Sequence, residues 1–253
     1  MSVSLTNMPS ELIKTSSNPS QAATSTGRRP GRPTQRILTV DAIVDRTLQI
    51  AGSEGFTAVT MNRLARDMGV TPRALYNHVT NRQEIIDKVW KRLIDSVEIP
   101  ELDSGDWRAT IRTLWSSLRE QFRRAPRLLL VALDEHITPE GTSPLRIAVA
   151  EKSLKFFTEI GLTLKEATIM RELMMSDVFS FALTCDYNFD NRAEEERDQV
   201  FQPVPKPWLE QNPQVDAPLT YKALEESVKT SDELFDHVVE ARIAYVEKLL
   251  ASK

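Results

Sequence analysis

A chain of 253 residues with a 41% hydrophobic share is long enough for one large or two modest domains with a real core, and its formal net charge is −4. A single cysteine, Cys185, excludes an intramolecular disulfide framework, and His78, His136 and His237 stand too far apart in sequence for metal spacing, so no cofactor is expected. No apolar run approaches the roughly 18 residues of a membrane span, and the Ser-, Thr- and Asn-rich start lacks a signal pattern, so the expectation is a soluble, cytoplasmic protein with no membrane partner.

The net charge hides a division. Residues 27–92 hold 12 Lys/Arg against 6 Asp/Glu, a net +6, while residues 93–253 hold 19 against 29, a net −10. A basic front on an acidic body points to a polyanion for the front and a different task for the body. Residues 1–36 are poor in large apolar side chains and are expected to form a disordered arm. Its end, GRRPGRPTQR, concentrates four arginines and two prolines, and the GRP around Arg32 resembles the core of an AT-hook. Two readings stand: an extended Arg-Pro strand that enters an A·T minor groove through Arg32, or a basic arm that touches phosphates only.

From Thr39 the apolar period becomes helical. Thr39 is placed to cap a helix through about Glu54, with Ile43, Val44, Thr47, Leu48 and Ala51 on one face and Gly55 as terminator. Thr60 caps a short helix over residues 61–68 that buries Leu64 and Ala65 and stops at Gly69. Thr71 caps a third, with Pro72 at its first position, where a missing N–H costs nothing. Asn81, with Glu84 three residues on, makes a capping-box-like start for a fourth helix, whose Ile85, Ile86, Val89, Trp90, Leu93, Ile94 and Val97 continue the stripe. Short helix, Gly-containing turn, short helix is the grammar of a helix-turn-helix.

After the polar break EIPELDSGD, an all-helical second domain is expected. Trp107, Ile111, Leu114, Trp115, Leu118 and Phe122 give an amphipathic helix ended near Pro126, and the run LLLVAL at residues 128–133 reads as a buried helix. Ser143 and Pro144 start another helix through about Ile160, and Thr163 with Glu166 forms a capping box for a long helix to about Cys185. Residues 189–220 are acidic and carry five prolines after Gln202, which argues against a regular helix there; the segment closes over a pocket or is a solvated loop. Ser231 with Asp232 and Glu233 opens the last helix, to about Ala251, which shows two apolar rows where one would serve its own core.

The stretch LARDMGVTPRALYNHVTNRQEII, residues 64–86, resembles the helix-turn-helix signature of the TetR family of bacterial one-component regulators, most closely in LYNHVTNR. The resemblance covers about residues 38–90; beyond it the chain is similar only in being helical. It implies an all-α protein in which an N-terminal three-helix helix-turn-helix domain, residues 37–97, joins a larger helical effector-binding and dimerisation domain, residues 98–253. It also implies a homodimer that binds a palindromic operator and releases it, or sometimes the reverse, when a small-molecule effector enters the C-terminal domain. The helices at 164–185 and 231–251 are the candidates for the dimer interface.

The residues carry roles of their own. Thr71, Arg73, Ala74 and Asn77 lie on or near the surface that a recognition helix turns to the major groove. Arg73 suits guanine, Asn77 adenine, and the Ala74 methyl thymine. By the resemblance, Tyr76 and His78 match positions that contact phosphates or neighbouring bases, and Arg82 matches the basic residue at the next helix start that grips the backbone. Thr39, Thr60 and Asn62 complete the set, with Asn62 serving DNA or only the turn, and Tyr76 also readable as packing. Where similar TetR-type sequences carry an aromatic between the Tyr and the His, this chain has Asn77, so no operator sequence carries over.

An effector pocket is expected among aromatic and flexible apolar side chains between helices. Trp115, Phe122, Phe156, Met170, Met174 and Phe181 supply that material, and His136 a hydrogen bond, although each also reads as core or, for His136, as a cap on helix carbonyls. No nucleophile elbow, phosphate loop or zinc spacing appears, so no enzyme is expected. Three functions fit: a ligand-responsive repressor, an activator, or a DNA-organising protein without an effector.

Overall fold

The computed structural model describes residues 38–253, and every regular element among them is helical. The expected arm over residues 1–36, with Arg32, lies outside the described residues.

Local chemistry sets the first four helices. In α1 (Val40–Glu54) the Thr39 hydroxyl oxygen accepts from the Ala42 N–H, and Gly55 ends the helix with φ 86°. Thr60 caps α2 (Met61–Met68) and Gly69, at φ 68°, stops it in the left-handed region that favours glycine. Thr71 caps α3 (Pro72–Tyr76), and Asn81 caps α4 (Arg82–Asp95). The Glu84 carboxylate reaches one residue further back than a capping box requires, accepting from the Thr80 N–H at 2.7 Å and its hydroxyl at 2.8 Å. Ile43, Val44, Ile50, Phe56, Leu64, Leu75, Ile85, Ile86 and Val89 close a core among these helices, and Val131 of the following part enters it.

The body begins with α5 (Trp107–Arg123), which leads through a 3-10 turn, Pro126–Leu130, to α6 (Val131–Asp134). Then come α7 (Pro144–Glu159) and α8 (Leu164–Phe181), the latter started by the Thr163–Glu166 capping box. A π turn, Ala182–Asp186, extends α8 into α9 (Tyr187–Asp190), so the continuous helix runs past Cys185. After α10 (Lys206–Gln211) and α11 (Pro218–Glu226), α12 (Ser231–Ala251) is capped by the Thr230 hydroxyl and ends the fold. Ile111, Leu114, Trp115, Phe156, Phe157, Met170, Met174, Phe181, Phe235 and Ile243 form the second core.

Two expectations are corrected. The run at residues 128–133 is no buried helix: it breaks between a 3-10 turn and a four-residue helix, Leu133 is 67% exposed, and Leu128 and Val131 serve the first core. Being short and started by Pro126, it acts as a connector whose apolar groups divide between directions. In the 189–220 segment two α-helices do form, because Pro207 and Pro218 fall in first turns, where a missing N–H breaks no bond. No helix among the described residues is long and apolar enough to cross a membrane.

Candidate nucleic-acid interface

The short helix α3 offers one face to solvent. Thr71, Arg73, Tyr76, Asn77 and His78 are exposed, Ala74 is half-buried, and Leu75 and Val79 anchor the helix in the core. Thr39, Thr60 and Asn62 are exposed as well. Each threonine oxygen accepts from one helix N–H, which leaves the hydroxyl hydrogen available to donate to a phosphate.

Charge on this unit is far more restricted than the sequence suggests. Residues 38–92 contain eight Lys/Arg, and carboxylates hold six of them closely. Arg46 pairs with Asp67 at 2.8 Å, Arg63 with Glu54 at 2.7 Å and Asp67 at 2.8 Å, and Arg92 with both Asp41 and Asp45. Arg82 meets Glu135 at 2.5 Å, Lys88 meets Glu84 at 3.3 Å, and Lys91 meets Asp95 at 2.6 Å. Arg73 has no carboxylate partner among the described residues, and Arg66, its side chain 72% exposed, is 3.7 Å from Asp67. The motif alone does not single out Arg66, yet it stands four positions after Asn62 and so on the same face of α2. An Arg66→Gln variant is expected to weaken binding to all DNA alike and to flatten the salt dependence by about 0.9 in the log–log slope for each phosphate that Arg66 neutralises.

Asp67 is the clasp between α1 and α2. The hydrogen bond from Arg63, then that from Arg46, push its carboxyl down to about 2, and Arg63 is held correspondingly upward, first by Glu54. A carboxyl depressed in the folded state contributes stability above its unfolded value of about 4, and this is lost as pH falls through the folded one. An acid titration should therefore show the α1–α2 contact loosening from about pH 4 towards 2, and Asp67→Asn should remove that part of the pH dependence. An identical acid profile in the variant would exclude the clasp.

Arg82 is engaged within the fold. Its guanidinium does not point outward for a phosphate: Nε donates to the Val59 carbonyl at 2.7 Å, Nη2 to the Phe56 carbonyl at 2.9 Å, and Nη1 and Nη2 to Glu135 at 2.8 and 2.5 Å. Glu135, distant in sequence, captures a side chain whose position in the motif alone suggests DNA. Other bonds continue this strap along α4. Gln83 donates to the His136 carbonyl at 2.6 Å, Asp87 accepts from the Thr138 N–H at 3.0 Å and hydroxyl at 2.7 Å, and Ser143 donates to Asp95. A Cβ on Gly141 would lie 2.7 Å from the Asp87 carboxylate, so only glycine fits this closely against α4. A cleft of about 470 Å³ opens beside the strap, lined in part by Gln83, Lys88, Lys91, Thr138 and Glu140. Arg82→Ala is expected to lower the thermal midpoint while leaving the salt slope of DNA binding unchanged; a flattened slope would restore the phosphate role.

The candidate effector residues divide. Trp115, Phe156, Met170, Met174 and Phe181 meet in the second core, with Phe122 half-buried against it. His136 does not join them: it is exposed beyond α6, 53 positions from the Gln83 that its carbonyl serves. Polar groups at this core escape sequence reasoning because their partners are remote. The Trp115 indole donates to Asp177 at 3.1 Å, and Asp177 also accepts from Arg242 Nε at 2.7 Å and Nη2 at 2.8 Å. Arg119 and Asp186 form a buried pair beside Phe181.

Residues 99–249 match the family model described as tetracyclin repressor-like, C-terminal domain, and residues 43–89 match that of bacterial regulatory proteins, tetR family. The HTH-type transcriptional repressor DrrR1 of Streptomyces coeruleorubidus is 33% identical over 139 residues, 54% of this chain and 50% of that protein. Tetracycline repressor protein class C of Escherichia coli is 27% identical over 161 residues, 62% of this chain and 69% of that one. The chain thus spans half the length of DrrR1. The crystal structure of ActR from Streptomyces coelicolor in complex with actinorhodin has a TM-score of 0.60 and 26% identity, covering 83% of this chain and 97% of ActR. Its complex with (S)-DNPA has a TM-score of 0.57 and 27% identity over the same shares.

Proposed function

Because the chain belongs to the TetR family of bacterial transcriptional regulators, which bind DNA and are not enzymes, we propose that it is a homodimeric repressor that leaves a palindromic operator when a small molecule enters its body. The observation that carries the reading is the isolation of Arg73: it stands exposed on α3, without a carboxylate partner among the described residues, in a unit whose other cations are nearly all paired. A guanidinium left free there suits bidentate contact with guanine. Arm, reader and sensor divide the work: residues 1–36 add positive charge, 37–97 read the groove, and 98–253 dimerise and sense.

Support for the dimer comes from α12. Phe235, Val239, Ile243 and Val246 are buried in the chain's own core, while Leu234, Val238, Tyr245 and Leu249 stay half-buried and Ala241 exposed, a second row that a partner copy would cover together with α8. Support for an effector comes from the ligand complexes of ActR and from the apolar side chains around Trp115 and Met174. The strap from Glu135 to Ser143 ties α4 to the body, so a shift of that segment would swing the reading unit. Release of the operator by an effector would separate the reading from a DNA-organising protein, and operator placement relative to the promoter separates repression from activation. A nuclease footprint tests the dimer: two protected half-sites roughly 34–36 Å apart, or somewhat more, are expected. A single protected half-site would sink the dimeric reading.

A further inference from the structure

The body meets the reading unit at a second place. Arg127, in the 3-10 turn before α6, donates through Nη1 to the Ser53 carbonyl in the last turn of α1 at 2.6 Å. Its Nε and Nη2 donate to the Tyr187 hydroxyl at 3.1 and 2.5 Å, and the guanidinium lies 5.4 Å from the centre of the tyrosine ring. Leu128, the next residue, is the nearest side chain to Gly52 of α1. One arginine therefore joins the end of α1 to the first residue of α9.

Tyr187 occupies that place because of the π turn. An extra residue in a helix rotates everything beyond it by roughly 100° about the axis, and such insertions recur at functional sites. Here the turn Ala182–Asp186 delivers two groups at once. Asp186 is fully buried and accepts from Arg119 Nε at 2.9 Å and Nη2 at 2.6 Å, and Tyr187 follows directly, over Arg127. The Arg119 guanidinium rests 5.0 Å from the Phe181 ring centre, and Phe181 lines the core of the body. Direct contacts therefore run from Phe181 through Arg119, Asp186, Tyr187 and Arg127 to α1.

We propose that Tyr187, placed by the π turn, is a positioning residue through which the packing around Phe181 sets the placement of α1 and thereby operator binding, by a route separate from the α4 strap. The proposal rests on the reading of the chain as a regulator, since operator affinity is the quantity it adjusts. Contiguity alone is no evidence of coupling, so the test breaks the joint from each of its two sides.

Full-length Tyr187→Phe and Arg127→Gln are compared with the parent in two ways: amide hydrogen exchange without DNA, and affinity for an operator selected by the parent from genomic fragments against unrelated DNA of equal length. Exchange at the end of α1, at Glu54 and Gly55, should rise at least about fivefold while that in α4 stays unchanged. Operator affinity should fall at least about threefold with unrelated DNA unaffected, a split that a general loss of stability would not produce. Unchanged exchange in both variants overturns the joint. Faster exchange with unchanged operator affinity overturns its role in positioning. A parent without operator preference overturns the regulator reading instead, and the exchange result still decides on the joint.

Discussion

Arg119→Met should destabilise the fold by about 3–5 kcal/mol, the usual cost of leaving a buried charge without its partner. Asp186 is fully buried and Arg119 only 7% exposed. Two parallel hydrogen bonds join them, the guanidinium also donates to the Ser231 hydroxyl at 3.1 Å, and Asp232 lies at 2.8 Å. Burial works most strongly against the charge on Arg119, yet its hydrogen bonds to Asp186 and Asp232 and their negative charges together outweigh it and hold the guanidinium above its ordinary value. The rings of Phe181 and Phe235, 5.0 and 4.6 Å away, complete the enclosure. Urea unfolding of the single variant measures the cost, and Arg119→Met combined with Asp186→Leu should recover most of it, because the two charges leave together. A loss below about 1 kcal/mol in the single variant would mean that water or another cation compensates Asp186.

Arg73→Ala should erase the preference for one base pair in each half-site, a discrimination of about 1–3 kcal/mol per contact. Competition against operators substituted one pair at a time reads this directly. The variant should bind all sequences at that position alike while keeping its preferences elsewhere. The contrast is Arg66→Gln, whose loss should be blind to sequence because phosphates carry no base identity. Equal, sequence-blind losses from both arginines would remove Arg73 from the reading surface.

Local chemistry makes the reading unit legible. Thr39, Thr60, Thr71 and Asn81 cap their helices because a cap depends on residues two or three positions away, and Gly55 and Gly69 end helices for a reason visible in one residue. Long-range partners are not legible. Arg82 occupies a motif position that suggests a phosphate grip, and only folding brings Glu135 to it. The same blindness hides the Arg127–Tyr187 joint and the Arg119–Asp186 pair. The π turn escapes sequence reading because the apolar period simply continues through it. Residue type alone groups His136 with the apolar cluster, and chain direction carries it elsewhere.

The charge division of the sequence also changes meaning once ion pairs are known. Of the net +6 over residues 27–92, four positive charges belong to the arginines of the arm. Within the folded unit pairing leaves mainly Arg66 and Arg73 to DNA. On the proposed function, affinity from the arm and sequence choice from α3 would be separable.

The most direct test of the central claim is selection of genomic fragments by the purified, effector-free full-length protein at near-physiological salt, followed by sequencing. Recovery of a few fragments that share a palindrome is expected. Unselective recovery that vanishes as salt is raised would contradict a sequence-specific repressor and favour a DNA-organising protein.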